Sequence, residues 1–241
     1  MAQPVPAIDV PFGQARRFAL PLVLGVMLLV AWTPARFVLQ LFFAMWLHEL
    51  GHAATAWLCG AFAVPLSWVT LGGSERSAVF IALELAGLGA WGFFRRAHLP
   101  LVGTLGALLL AGLLLPARAM ETLVIFGGDG GALVLGTLLM LTVFLPDDAR
   151  LSRGGLRWGF LVIGAGGFSA VLVQWLRAWR DADEIPFGRI EGVGLSDPSR
   201  LVDGAGWGAH QLVMRYLGLG LACLAVLLAA QVLAARKTAA H

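Results

Sequence analysis

The sequence has little charge. Aspartate, glutamate, lysine and arginine make up 13% of its 241 residues, against about 25% in soluble domains. Hydrophobic residues make up 59% and the mean hydropathy is +0.83. Such a chain does not divide into soluble domains by length; it reads as an all-α polytopic membrane protein with the lipid bilayer as its surroundings. Lysine is nearly absent: Lys237 stands alone among 17 basic residues, and the rest are arginine. The net charge of +3 is spread between apolar stretches, so no nucleic-acid partner is expected. Cysteine is scarce too. Cys59 and Cys223 lie in or beside apolar stretches, which excludes a cysteine-based metal motif and argues against a structural disulfide. Residues 1–14 carry Asp9 and several prolines but no charged leader region or small-residue cleavage site, and do not read as a cleaved signal peptide. No internal repeat or low-complexity tract is present.

What the chain does have is apolar runs. A helix needs about 20 mostly apolar residues to cross the hydrocarbon core, with a range of about 17–25. Seven segments are candidates: 18–32, 37–59, 79–94, 101–115, 121–145, 158–179 and 211–235. The expected organisation is a polar tail over 1–15, a first transmembrane helix over 16–36, a membrane core over 37–145, and C-terminal helices over 146–241 with a polar loop at 180–208. Between the second and third spans, 61–77 holds Pro65, the alternating run Leu66-Ser67-Trp68-Val69-Thr70-Leu71 and Gly72-Gly73. That pattern predicts a short extended or hairpin segment. Asp147, Asp148, Arg150, Arg153 and Arg157 form a charged connection. In the polar loop, Asp197, with Ser196 as the alternative, caps a short helix that has Pro198 at its first position. The seven-span reading divides the basic residues of the connections eight against eight, so the positive-inside rule does not orient the chain.

Within the second span lies His48-Glu49-Leu50-Gly51-His52. Positions i and i+4 of a helix share one face, so both imidazoles can turn to one metal ion. Glu49, beside the first ligand, can reach a water and take its proton. In a soluble helix this pattern also occurs on a solvated face. Here the flanks are apolar for about ten residues on each side, and three ionisable groups in a membrane need a cavity, a partner or a bound ion. The pattern points to zinc and hydrolysis.

The run Leu47-His48-Glu49-Leu50-Gly51-His52-Ala53 resembles the motif of the site-2-protease family of intramembrane metalloproteases. That family carries an Asp-Gly on a later helix, whose aspartate completes the zinc site. The matching residue is Asp129, in Phe126-Gly127-Gly128-Asp129-Gly130-Gly131. The resemblance covers about 37–145. It implies a Zn2+ cofactor held by His48, His52 and Asp129, with Glu49 as catalytic base and a transmembrane or membrane-proximal protein segment as substrate. It also implies a zinc site towards the cytoplasm, an extended segment beside the site, and location in a bacterial cytoplasmic membrane. An edge of that segment can take a substrate chain by strand addition. The chain departs from the family in lacking its Asn-Pro element: Glu121-Thr122-Leu123-Val124-Ile125 contains neither residue. Any substrate-binding role of that asparagine is therefore not carried over.

Two residue-level arguments accompany Asp129. With seven spans, His52 lies about 10 Å before the end of its helix and Asp129 about 12 Å after the start of the fifth, in the same leaflet. Aspartate and Glu49 together also bring a dication near neutrality, the least costly state in a low-dielectric interior. Glu84 and Glu121 satisfy the same arithmetic and remain competitors, whereas His98 as third ligand would leave an extra positive charge. His210 falls at the interface and His241 in the tail. The glycines flanking Asp129 favour a break in that helix, tolerated where backbone is buried in protein or lines a wet cavity. Two other readings stay open. One is a membrane zinc protease of the prenyl-protein-processing type with Glu84 or Glu121 as third ligand. The other is a non-enzymatic zinc scaffold or a transporter with a discontinuous helix. Glu49 argues against a scaffold, because a structural zinc has no use for a base. Nothing in the sequence indicates the oligomeric state.

Overall fold

The computed structural model describes residues 12–146, 149–190 and 194–239. Most of the expected polar tail, Asp147, Asp148 and His241 lie outside the described residues. Helix α1 (Phe12–Ala31) turns at Thr33–Pro34 into α2 (Arg36–Leu39), a π-helical turn (Gln40–Ala44) and α3 (Met45–Leu58). The bend between Phe18–Ala31 and Arg36–Leu58 is 117°. Gly60, with φ of 75°, ends α3 in the left-handed conformation that suits glycine. Strands β1 (Ala61–Pro65) and β2 (Thr70–Arg76) then pair antiparallel, so the expected hairpin over 61–77 is present, although most of the alternating run, 66–69, forms its connection and not a strand. Helix α4 (Ala78–Phe94) starts at Ser77, whose hydroxyl accepts from the Phe80 amide. Helices α5 (Leu99–Leu113), α6 (Ala117–Leu141) and α7 (Leu156–Arg180) follow. A two-residue strand pair, β3 (Arg189–Ile190) and β4 (Gly194–Leu195), precedes α8 (Asp197–Asp203) and α9 (Ala209–Ala239).

The all-α membrane architecture stands, but seven independent spans do not. Among the described residues, four helices are long and apolar enough to cross a bilayer: Arg96–Leu113, Ala117–Phe144, Leu156–Arg180 and Ala209–Arg236. A fifth arises if the bent pair formed by α1 and α2–α3 counts as one span. All seven expected segments are helical. The count falls because α4, at 17 residues, stands at the lower limit of a spanning length and because the first two segments fold across the bend. Arg157, expected in a charged connection, is instead a buried residue in the first turn of α7.

Leu133 and Met140 of α6, Phe168 and Trp175 of α7, and Leu212 and Tyr216 of α9 form the centre of the core. Val79, Leu83, Phe94, Leu108 and Leu110 on α4–α5, and Leu221 and Leu228 on α9, point outward. That is the arrangement of a protein whose solvent is hydrocarbon, where apolar surface has no reason to hide. The second close packing is α3 against α6. A Cβ on Gly51 would run into the Gly127 carbonyl oxygen, and one on Gly131 into the Gly51 Cα. A Cβ on Gly128 would come within 2.6 Å of His48 Cε1 and His52 Nε2. The glycine run therefore corrects the expected break: α6 stays helical through Asp129. Its missing side chains bring one backbone against another, and its own hydrogen bonds are kept.

Candidate metal centre

His48 and His52 stand one turn apart on α3, and their Nε2 atoms lie 3.0 Å from each other. Asp197 Oδ2, from the first turn of α8, lies 3.1 Å from His48 Nε2 and 2.9 Å from His52 Nε2. The far nitrogen of each ring is occupied. His52 Nδ1 donates to the Val124 carbonyl at 2.7 Å. His48 Nδ1 donates to Asp129 Oδ1 at 2.8 Å. A carbonyl only accepts, so His52 carries its hydrogen on Nδ1, and an ionised Asp129 places the His48 hydrogen likewise. Three lone-pair atoms then face one another at the centre, and a proton or a cation must sit among them. Among the described residues, this is the group of three ligand-type side chains whose atoms converge within 4.8 Å.

Chain comparison finds no matching family model, curated protein or solved structure.

The donor set fits a metal ion. Edges of a tetrahedron with bonds of about 2.0 Å are about 3.3 Å long, so the observed spacings need to open only by a few tenths of an ångström. Hydrogen bonds from the outer imidazole nitrogens to a carboxylate and a carbonyl are the usual support of metal-ligating histidines. Burial by itself would raise the Asp197 carboxyl, but hydrogen bonds from His48 and His52, formed when a proton sits at the centre, outweigh it and hold the group well below the usual carboxylate range. With a cation there instead, the same oxygen can serve as an anionic ligand.

Asp129 sits elsewhere than expected. It reaches the site, yet its carboxylate meets the outer nitrogen of His48 and not the converging atoms. Its second oxygen accepts from Trp175 Nε1 at 2.8 Å. The carboxylate among the converging atoms is Asp197. Ser196, the alternative cap, takes the N-cap position of α8 and leaves the Asp197 side chain to the histidines. Of the competing carboxylates, Glu121 is exposed and 3.7 Å from Arg200, and Glu84 is a residue of α4 outside the converging group. His98 and His210 are exposed.

Glu49 is 5% exposed and lines the same cavity, of about 660 Å3, as the two histidines, Asp129 and Asp197. The Thr70 hydroxyl lies 2.8 Å from Glu49 Oε2 and 2.9 Å from the Glu49 carbonyl oxygen. The hairpin that carries Thr70 is tethered. Trp57 Nε1 donates to the Ala63 carbonyl at 2.9 Å, and Arg76 donates to the carbonyls of Cys59, Gly112 and Leu115. The opposite wall comes from the segment after α7, where Gln174 donates to the Glu184 carbonyl at 2.7 Å. Thr70, Trp175 and the ligand role of Asp197 are absent from the sequence reading. Thr70 sits in the alternating run that signalled the hairpin; nothing in the sequence around Trp175 or Asp197 links either to the motif.

Proposed function

We propose that this protein is a membrane-embedded zinc peptidase of the site-2-protease type that hydrolyses a peptide bond in a transmembrane or membrane-proximal protein segment. The reading is carried by one observation: two Nε2 atoms and a carboxylate oxygen converge in a membrane-protein cavity that also holds the Glu49 carboxylate. The residues that would hold the metal are His48, His52 and Asp197, with Asp129 and the Val124 carbonyl orienting the imidazoles. When bound, zinc supplies Lewis acidity to a peptide carbonyl and to water. Glu49 takes a proton from the attacking water as the new C–O bond forms, and returns it to the amine as the C–N bond breaks. Thr70 holds the carboxylate in place for both transfers. The cavity runs along Thr70, Gly72, Gly73 and Ser74 of β2, which suits an extended chain; a substrate helix must unwind first to expose a carbonyl.

Two histidines and one carboxylate are also a ligand set for ferrous iron. The adjacent Glu49 favours hydrolysis, because iron oxygen chemistry has no need of a base at that position. Metal analysis of detergent-purified protein, beside cleavage of membrane-protein segments with and without chelator, tests the proposal. About one zinc per chain and chelator-sensitive cleavage are expected. Iron in place of zinc, or cleavage that survives complete removal of metal, would overturn it.

A further inference from the structure

We propose that Trp175 is a positioning residue of the metal centre, acting on His48 through Asp129. This rests on the metal reading given above. Trp175 belongs to α7, is fully buried and does not line the cavity, so it has no route to substrate. Its indole N–H lies 2.8 Å from Asp129 Oδ2, while Asp129 Oδ1 takes the His48 Nδ1 hydrogen at 2.8 Å. Each oxygen of the carboxylate thus has its own donor. Rotation of a carboxylate about its last bond is soft and roughly two-fold, and one hydrogen bond alone does not fix it. The second donor does, and the fixed carboxylate keeps the His48 hydrogen on Nδ1 and the Nε2 lone pair towards the centre.

The indole is itself immobilised. It stacks on Tyr216 of α9 at 4.2 Å and 21°, and Tyr216 stacks on Phe126 of α6 at 4.5 Å and 20°. Phe126 precedes Asp129 by one helical turn, so the stack and the hydrogen bond fix the same stretch of α6 from two directions. A tryptophan that merely fills the core also needs an acceptor for its N–H, and a main-chain carbonyl would serve. Here the acceptor is the side chain that holds a ligand. A packing role and a positioning role therefore differ in one measurable respect: whether the effect of the N–H depends on Asp129.

The experiment is a double-mutant cycle on metal affinity, measured by competition with a chromophoric chelator at fixed pH in detergent. Trp175→Phe keeps a stacking ring and removes the N–H. In the native background it should weaken zinc binding about tenfold, the low end of what loss of a ligand's hydrogen-bond partner costs. In an Asp129→Asn background it should cause no further loss. Tyr216→Phe, which keeps the stack, should leave affinity unchanged. Undiminished affinity in Trp175→Phe, or an equal loss in both backgrounds, would overturn the proposal. Absence of zinc binding by the native protein would instead remove the metal reading beneath it. If Trp175→Phe does not fold, benzothienylalanine at 175, which replaces N–H by sulfur in the same bicyclic shape, is put through the same cycle with the same deciding outcomes.

Discussion

Glu49 accepts one short hydrogen bond, from Thr70 at 2.8 Å to Oε2, and a carboxylate has lone pairs to spare for a water proton. Glu49→Gln keeps the shape and removes the base. Cleavage should fall by at least about a hundredfold while zinc content stays as in the native protein; full activity would end the mechanism. Thr70→Val should lower the rate by about tenfold, a fraction of the base's own contribution, again with zinc retained. Asp197 and Asp129 separate by metal content. Asp197→Asn removes the anion among the converging atoms, so zinc should be lost. Asp129→Asn should bind zinc about 10–100-fold more weakly, as expected for an orienting partner. The reverse ranking in a metal titration would return the ligand role to Asp129. His48, Glu49 and His52 are legible in the sequence because one helical turn brings them together, a local fact. Asp197 is not, because its contact arises from packing of a distant loop, and Ser196-Asp197-Pro198 is already explained as a helix start. Asp129 is legible as a candidate through the Asp-Gly resemblance, and it does meet His48. Which nitrogen it meets depends on side-chain geometry that no spacing encodes.

At the scale of elements, the site depends on how closely α3 and α6 approach. Gly51, Gly127, Gly128 and Gly131 let backbone lie against backbone, and Gly128 gives the two imidazoles their room. Gly128→Ala would place a methyl on the rings, so zinc binding should collapse. Gly51→Ala should destabilise the fold by about 1–3 kcal/mol or more, as overpacking does. Gly87→Ala meets nothing within 4 Å and should be neutral or slightly stabilising, since alanine is the better helix former. Metal titration and thermal unfolding in detergent read all three; equal behaviour of Gly128→Ala and Gly87→Ala would refute the packing argument. The same glycines mislead when read alone, because low helix propensity suggests a break and the neighbouring helix that rewards the absence of side chains is not visible in the sequence. The hairpin is readable, since Pro65 and Gly72-Gly73 are local signals.

Across the whole molecule, apolar segments are visible in the sequence, but their bends are not. The 117° fold of the first pair leaves no clear trace in composition, whereas the brevity of α4 is already visible in the short apolar run 79–94. The relation of the hairpin to α6 does lead to a test. Arg76 donates to the carbonyls of Gly112 and Leu115, at the end of α5, so 61–77 packs beside the connection into α6, and 61–77 and 118–121 are expected at one face of the membrane. Single cysteines in each, with Cys59 and Cys223 replaced, should label from the same side with an impermeant reagent; opposite labelling would refute the arrangement.

His48 and Asp197 are about 150 residues apart in the chain, yet they meet at one point. An ion bound there is a cross-link that ties the segment 181–208 back to α3. Chelation, or Asp197→Asn, should loosen that segment and speed tryptic cleavage at Arg189 and Arg200, followed on gels against the metal-loaded protein; identical cleavage in both states would deny the tie. With the tie in place, metal occupancy governs more than the centre itself: it decides how readily an added protease reaches Arg189 and Arg200.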